Sequence, residues 1–202
     1  MPMNSSPKIK LPSKPLSVLD VINTRCSVRR YAPDKLDRAT VQALLDAAVR
    51  APTAIHAEPW AFVVIQDTQL LRQVSDVAKA IFVEEGHHDL DRGGHALDMF
   101  QQPEFNIFYD SSTLIVICGK ATGPFVAADC WLAAENLMLA ACALGLGTCV
   151  IGSAVGGLNT PELKARLGIT EDMIAIAPII VGVPACAIIA SPRKPPQVLA
   201  WR

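Results

Sequence analysis

The chain has 202 residues, 51% hydrophobic and only 18% charged, and 18 Lys+Arg against 19 Asp+Glu leave a net charge of −1. This length suits one domain with a buried core, and the charge balance supplies no field for gripping nucleic acid. The apolar excess suits a subunit interface better than the surface of a lone monomer.

Residues 1–14 read as an extended arm, with lysines and prolines but no apolar h-region, so no secretory signal is expected. Ser17 followed by Asp20 resembles a capping box, and Val18, Leu19 and Ile22 supply the apolar stripe of a first helix. An arginine cluster follows. Val41, Leu44, Leu45 and Ala48 predict a second helix over 38–49. After the loop APTAIHAEP, the apolar run 60–66 is predicted as a strand. Leu71, Val74, Ala78 and Phe82 give helical spacing over 70–83. The polar, glycine-containing stretch 84–106 reads as a mobile loop or as small helices over a site.

Residues 113–118 read as a buried strand, 125–144 as a long helix ended at Gly145, and 148–151 as a short strand. Thr160, Pro161 and Gly168 punctuate another helix, 173–183 is a strand, and 184–202 is a proline-rich extended tail. Nothing divides residues 15–202, so one α+β domain is expected behind the arm. The apolar run 125–146 mimics a membrane span, but Asp129, Glu135 and Asn136 interrupt it, which favours a core or interface helix and no membrane. Six scattered cysteines without a C-x-x-C pair read as reduced thiols in the cytoplasm.

Four stretches carry chemistry. Arg25, Ser27 and Arg29 alternate, so an extended segment would put them on one face, where two guanidiniums and a hydroxyl suit a phosphate. The same cluster also suits a solvated basic turn pairing with Asp34 and Asp37. His56 either touches a ligand or caps a helix end. GLGTCVIGS at 145–153 lets backbone approach a ligand but is not the dinucleotide fingerprint G-x-G-x-x-G. Arg193 and Lys194 lie in the tail and, alone, read as ordinary surface. Glu84, His87, His88, Asp89, Asp91 and His95 match no standard zinc spacing, so no metal is expected. Phe100, Phe105, Phe108 and Tyr109 either line a pocket or anchor their loop.

In this order the stretches resemble the nitroreductase family of FMN-dependent oxidoreductases. R-x-S-x-R-x-Y stands at 25–31, and A-P-x-A-x-x-x-x-P-W at 51–60. A-x-x-N-L-x-L-A-A-x-x-L-G-L-G-T-C-x-I-G stands at 133–152, and G-x-P…R-K-P…W at 182–201. The resemblance implies a mainly antiparallel sheet flanked by helices, in an intertwined homodimer with FMN at the subunit interface. It implies that Arg25, Ser27 and Arg29 grip the flavin phosphate and ribityl chain, with Cys26 alongside by backbone and Arg193 reaching in from the tail. It puts Val150, Ile151 and Gly152 beside the flavin ring, and Pro52, Thr53, Ala54 and His56 on the loop given by the other subunit. The implied reaction is ping-pong: NADH or NADPH reduces FMN, and a nitroaromatic, quinone or similar small acceptor takes the electrons. No catalytic acid or base is implied. His56 and Glu58 replace a frequent asparagine and glutamine, which leaves the acceptor open. Flavin destruction, dehalogenation, heterocycle oxidation and non-enzymatic flavin binding are the alternatives.

Overall fold

A computed structural model describes residues 16–85 and 96–202. The arm over 1–14 and the residues His87, His88, Asp89, Asp91 and His95 lie outside the described residues. Local polar groups start each of the capped helices. In α1 (Val18–Thr24) Ser17 and Asp20 complete the capping box, and their hydrogen bonds hold the Asp20 carboxyl below the usual carboxylate range. Asp37 caps α2 (Arg38–Ala48) by accepting from Thr40 N–H, and Asp67 caps α3 (Thr68–Glu84) by accepting from Leu70 N–H. A short α4 (Ala96–Gln101) stands in the polar stretch, and α5 (Val126–Ala143) is the long apolar helix. A turn after residue 151 leads into α6 (Val155–Leu158), which the sequence did not suggest; α7 (Pro161–Leu167) starts at Thr160 and ends at Gly168, with φ 72°.

The four strands are β1 (Trp60–Ile65), β2 (Thr113–Lys120), β3 (Gly147–Val150) and β4 (Met173–Gly182). They form one sheet in the order β1-β2-β4-β3, with every pairing antiparallel. Helices cover both faces. Ile115 and Ile117 of β2 pack with Leu44, Ala133 and Leu137 under α2 and α5, while Leu114 and Val116 pack with Val74, Ala78 and Phe108 under α3. Burial on both sides explains why β2 reads as an unbroken apolar run rather than an alternating one. A bulge opposite Ile117 and Cys118 shifts the phase of β4, so consecutive Ile176 and Ala177 both join the α2/α5 core.

The helix α5 is long and apolar enough to cross a membrane by composition, yet Cys130, Ala133, Ala134, Leu137 and Ala141 are fully buried against the sheet. Burial pushes the thiols of Cys118 and Cys130 from 9.0 up to about 11. The folded state thus holds these protons more tightly than the unfolded chain, so their contribution is intact below pH 9.0 and is lost as the pH rises toward about 11. Urea midpoints are expected to fall across that window, and to fall less in a Cys118→Ala/Cys130→Ala variant. Identical pH profiles for the two proteins would contradict this.

Candidate active site

Residues 27–28 meet the outer edge of β3, and residues 30–32 meet the chain just past β4. Val28 N–H donates to the Thr148 carbonyl at 2.9 Å, and Ser27 bridges Thr148 in parallel. Ala32 N–H donates to the Val183 carbonyl at 2.8 Å, and Ala185 N–H to the Arg30 carbonyl at 3.0 Å. A Cβ on Gly147 would lie 2.7 Å from Val28 Cβ, so this approach requires glycine there. The Tyr31 hydroxyl donates to the Val28 carbonyl at 2.6 Å, and burial raises its pKa. The arginine segment is therefore an extended stretch pinned by two isolated bridges, one to Thr148 of β3 and one to Pro184 beyond β4.

The charges of this segment act on one thiol of β3. Burial pushes the Cys149 thiol up, while Arg29, a hydrogen bond from Ser27, and Arg25 act in the opposite direction. Of the three, Arg29 lies with Cys149 in the lining of one cleft, while Arg25 and Ser27 stand just before it on the same segment. Cys26, between them, is half-buried. Arg25 Nε pairs with Glu135 Oε1 of α5 at 3.6 Å, rather than with Asp34 or Asp37. Asp37 is occupied as the cap of α2.

Beyond Cys149 the chain turns at the end of β3 and lines a cleft. Arg29, Phe105, Tyr109, Val150, Ile151 and Gly152 are among its lining. A Cβ built on Gly152 meets nothing within 4 Å, so its backbone faces open space. The aromatic side is a ladder. Phe100 and Phe105 meet edge to face at 5.5 Å, Phe105 and Tyr109 at 5.7 Å, and the Arg29 guanidinium carbon lies 5.8 Å from the Tyr109 ring centre. Phe108 points away and is fully buried in the α3 core. The four aromatics thus divide, three to the cleft wall and one to the core.

The loop after α2 does not line this cleft. His56 is exposed, and Pro52 and Thr53 lead into a single 3-10 turn, Ala54–His56. Ile55, His56 and Glu58 have φ of 51°, 54° and 42°, which costs on the order of 1–3 kcal/mol each for non-glycine residues. Ile55 is 94% exposed, so no packing of its side chain offsets that cost. Arg193 lies in the exposed tail, also outside the cleft. Within one chain, Arg29, Val150, Ile151 and Gly152 line the cleft, while Arg25 and Ser27, the loop residues and Arg193 are not among its lining.

Several supporting residues gave no motif signal. Lys79 Nζ donates to the carbonyls of Gln102, Pro103 and Phe105 at 3.1–3.2 Å, and Ser75 Oγ accepts from Ile107 N–H at 3.1 Å. Together they fasten the aromatic side of the cleft to α3. Asp129 Oδ1 accepts from Ala54 N–H at 3.2 Å, tying the strained loop to α5. Their only sequence mark is a polar side chain on an otherwise apolar helix face. Among the described residues no group of three or more His, Cys, Asp or Glu side chains is arranged to hold a metal.

Residues 22–182 match the model of the nitroreductase family. A crystal structure of a nitroreductase with bound FMN from Bacteroides fragilis superposes with a TM-score of 0.80, covering 93% of this chain and 100% of that one at 23% identity. The NADH dehydrogenase of Thermus thermophilus is 26% identical over 193 residues, 88% of this chain and 92% of the relative. The iodotyrosine deiodinase of Thermotoga neapolitana is 24% identical over 136 residues, 64% of this chain and 70% of the relative.

Proposed function

The chain belongs to the nitroreductase family, and on that footing we propose that it is an FMN-dependent oxidoreductase passing electrons from NADH or NADPH to a small acceptor. The observation that carries this reading is the cleft that Arg29 shares with the open backbone at Gly152, on the same short segment as Arg25 and Ser27. These residues fit the cofactor. Two guanidiniums and a hydroxyl match a phosphate and its ribityl chain, and backbone without an intruding Cβ admits a flat ring. Bound FMN would supply the hydride and electron chemistry; the protein's part is to hold, orient and cover it. Arg25 and Ser27, with the Cys26 backbone and Arg193 from the tail, grip the phosphate end. Arg29, placed in the cleft with Tyr109, serves the part nearer the ring, beside Val150, Ile151 and Gly152.

A second copy completes the site. Pro52, Thr53, Ala54 and His56 stand away from their own chain's cleft and are offered to the partner's flavin. Large apolar side chains that such a partner would cover lie on α1 (Val18 73%, Leu19 70% exposed), on α5 with its cap (Phe125 56%, Trp131 44%) and on the tail (Leu199 91%, Trp201 89%). The protein is expected to sediment as a dimer at micromolar concentration, with one FMN per chain. A stable monomer retaining stoichiometric FMN would contradict the shared site. All six cysteines are free, which supports a reducing compartment such as the cytoplasm.

The acceptor is a planar aromatic, a nitroaromatic or quinone, because Phe105 and Tyr109 wall the cleft. The resemblance to iodotyrosine deiodinase favours a second reading, reductive dehalogenation of an aromatic ring. Turnover with NADH and NADPH against a nitroaromatic, a quinone and 3-iodotyrosine separates them. Turnover of the first two supports the main reading, iodide release alone supports the second, and no turnover with any acceptor contradicts both.

A further inference from the structure

Each of the three polar residues that interrupt the apolar helix α5 bonds to another segment. Glu135 pairs with Arg25, Asn136 Nδ2 donates to the Ala47 carbonyl near the end of α2, and Asp129 receives Ala54 N–H. Asp129 is the one buried carboxylate among the described residues, 4% exposed. Burying a charge is costly unless a partner needs it, and its partner here is the segment with three left-handed non-glycine residues. Within that segment Thr53 Oγ1 accepts from Glu58 N–H at 3.4 Å, closing the loop on itself. Such backbone persists only where its surroundings over-determine it, and Asp129 supplies the tie from outside the loop.

We infer that Asp129 is a positioning residue: from α5 its carboxylate holds the loop 53–58, with Ile55, His56 and Glu58 left-handed, so that Thr53, Ala54 and His56 are presented to the flavin ring of a second copy. This rests on the shared flavin site proposed above. The loop would meet the ring and not the phosphate, so loosening it should weaken FMN and riboflavin equally. That pattern distinguishes Asp129 from the arginines, and from a side chain that merely adds to stability.

The test compares full-length dimeric wild type with Asp129→Ala, Asp129→Asn and Asp129→Ala/Ile55→Gly, by flavin titration and amide hydrogen exchange over residues 53–58. Asp129→Ala should weaken FMN and riboflavin alike by about tenfold, the scale of one hydrogen bond to a charged group, and speed exchange in the loop. Asp129→Asn keeps an acceptor oxygen and should stay within about threefold of wild type. Glycine at 55 takes a positive φ without penalty, so the double variant should regain most of the lost affinity. Unchanged affinity and exchange in Asp129→Ala would overturn the proposal. So would Asp129→Asn being as weak as alanine, or no recovery from Ile55→Gly. If Asp129→Ala does not fold, the asparagine and double variants decide. If wild type binds no flavin, the functional reading fails, while loop exchange still tests the tie to Asp129.

Discussion

Phe108→Ala is expected to lower the unfolding free energy by about 3–5 kcal/mol, the cost of emptying a phenylalanine-sized space in a packed core. Phe108 is fully buried among Val74, Ala78, Leu114 and Val116. Its neighbours are held by the sheet on one side and α3 on the other, so the space cannot readily collapse. Phe105→Ala should behave differently. That ring is half-buried in the cleft wall between Phe100 and Tyr109, while Lys79 holds its backbone regardless of the side chain. Its loss should change kcat/KM for bulky acceptors more than for small ones, with FMN affinity within about 1 kcal/mol of wild type. Urea unfolding and steady-state kinetics with one small and one bulky acceptor check the pair. A Phe108→Ala protein as stable as wild type but altered in acceptor choice would reverse the two assignments.

Arg25→Ala should weaken FMN binding by about 1.5–3 kcal/mol, the range for a hydrogen bond to a charged group, and riboflavin binding far less. Arg25 is mostly shielded from solvent and already pairs with Glu135, so its guanidinium is oriented before any anion arrives. That lowers the ordering cost of binding. Parallel fluorescence titrations with the two flavins decide the matter. Equal losses for both would remove the phosphate assignment.

Much of this was legible in the sequence because local signals set local structure. Caps at Ser17 and Thr160 and apolar spacing at Leu71, Val74, Ala78 and Phe82 located helices, and the segment of Arg25, Ser27 and Arg29 bridges β3 at Ser27. What could not be read depends on which parts of the chain meet. No local pattern separates Phe105, on the cleft wall, from Phe108, in the core; their different burial depends on which one meets β2 and α3. Nor does the spacing of Arg25 disclose Glu135, more than one hundred residues away. Asp129, Glu135 and Asn136 were visible only as breaks in an apolar run. Their targets, Ala54, Arg25 and Ala47, appear once α5 packs beside α1 and α2.

The central claim is that the protein binds FMN and uses it to take electrons from a nicotinamide donor. The most direct measurement is anaerobic addition of NADH or NADPH to the FMN-loaded protein under argon, followed by a quinone or nitroaromatic. The visible flavin absorbance should bleach in proportion to the donor added and return when the acceptor follows. A flavin that stays oxidised with both donors would contradict the claim and leave a flavin-binding protein without reductase activity.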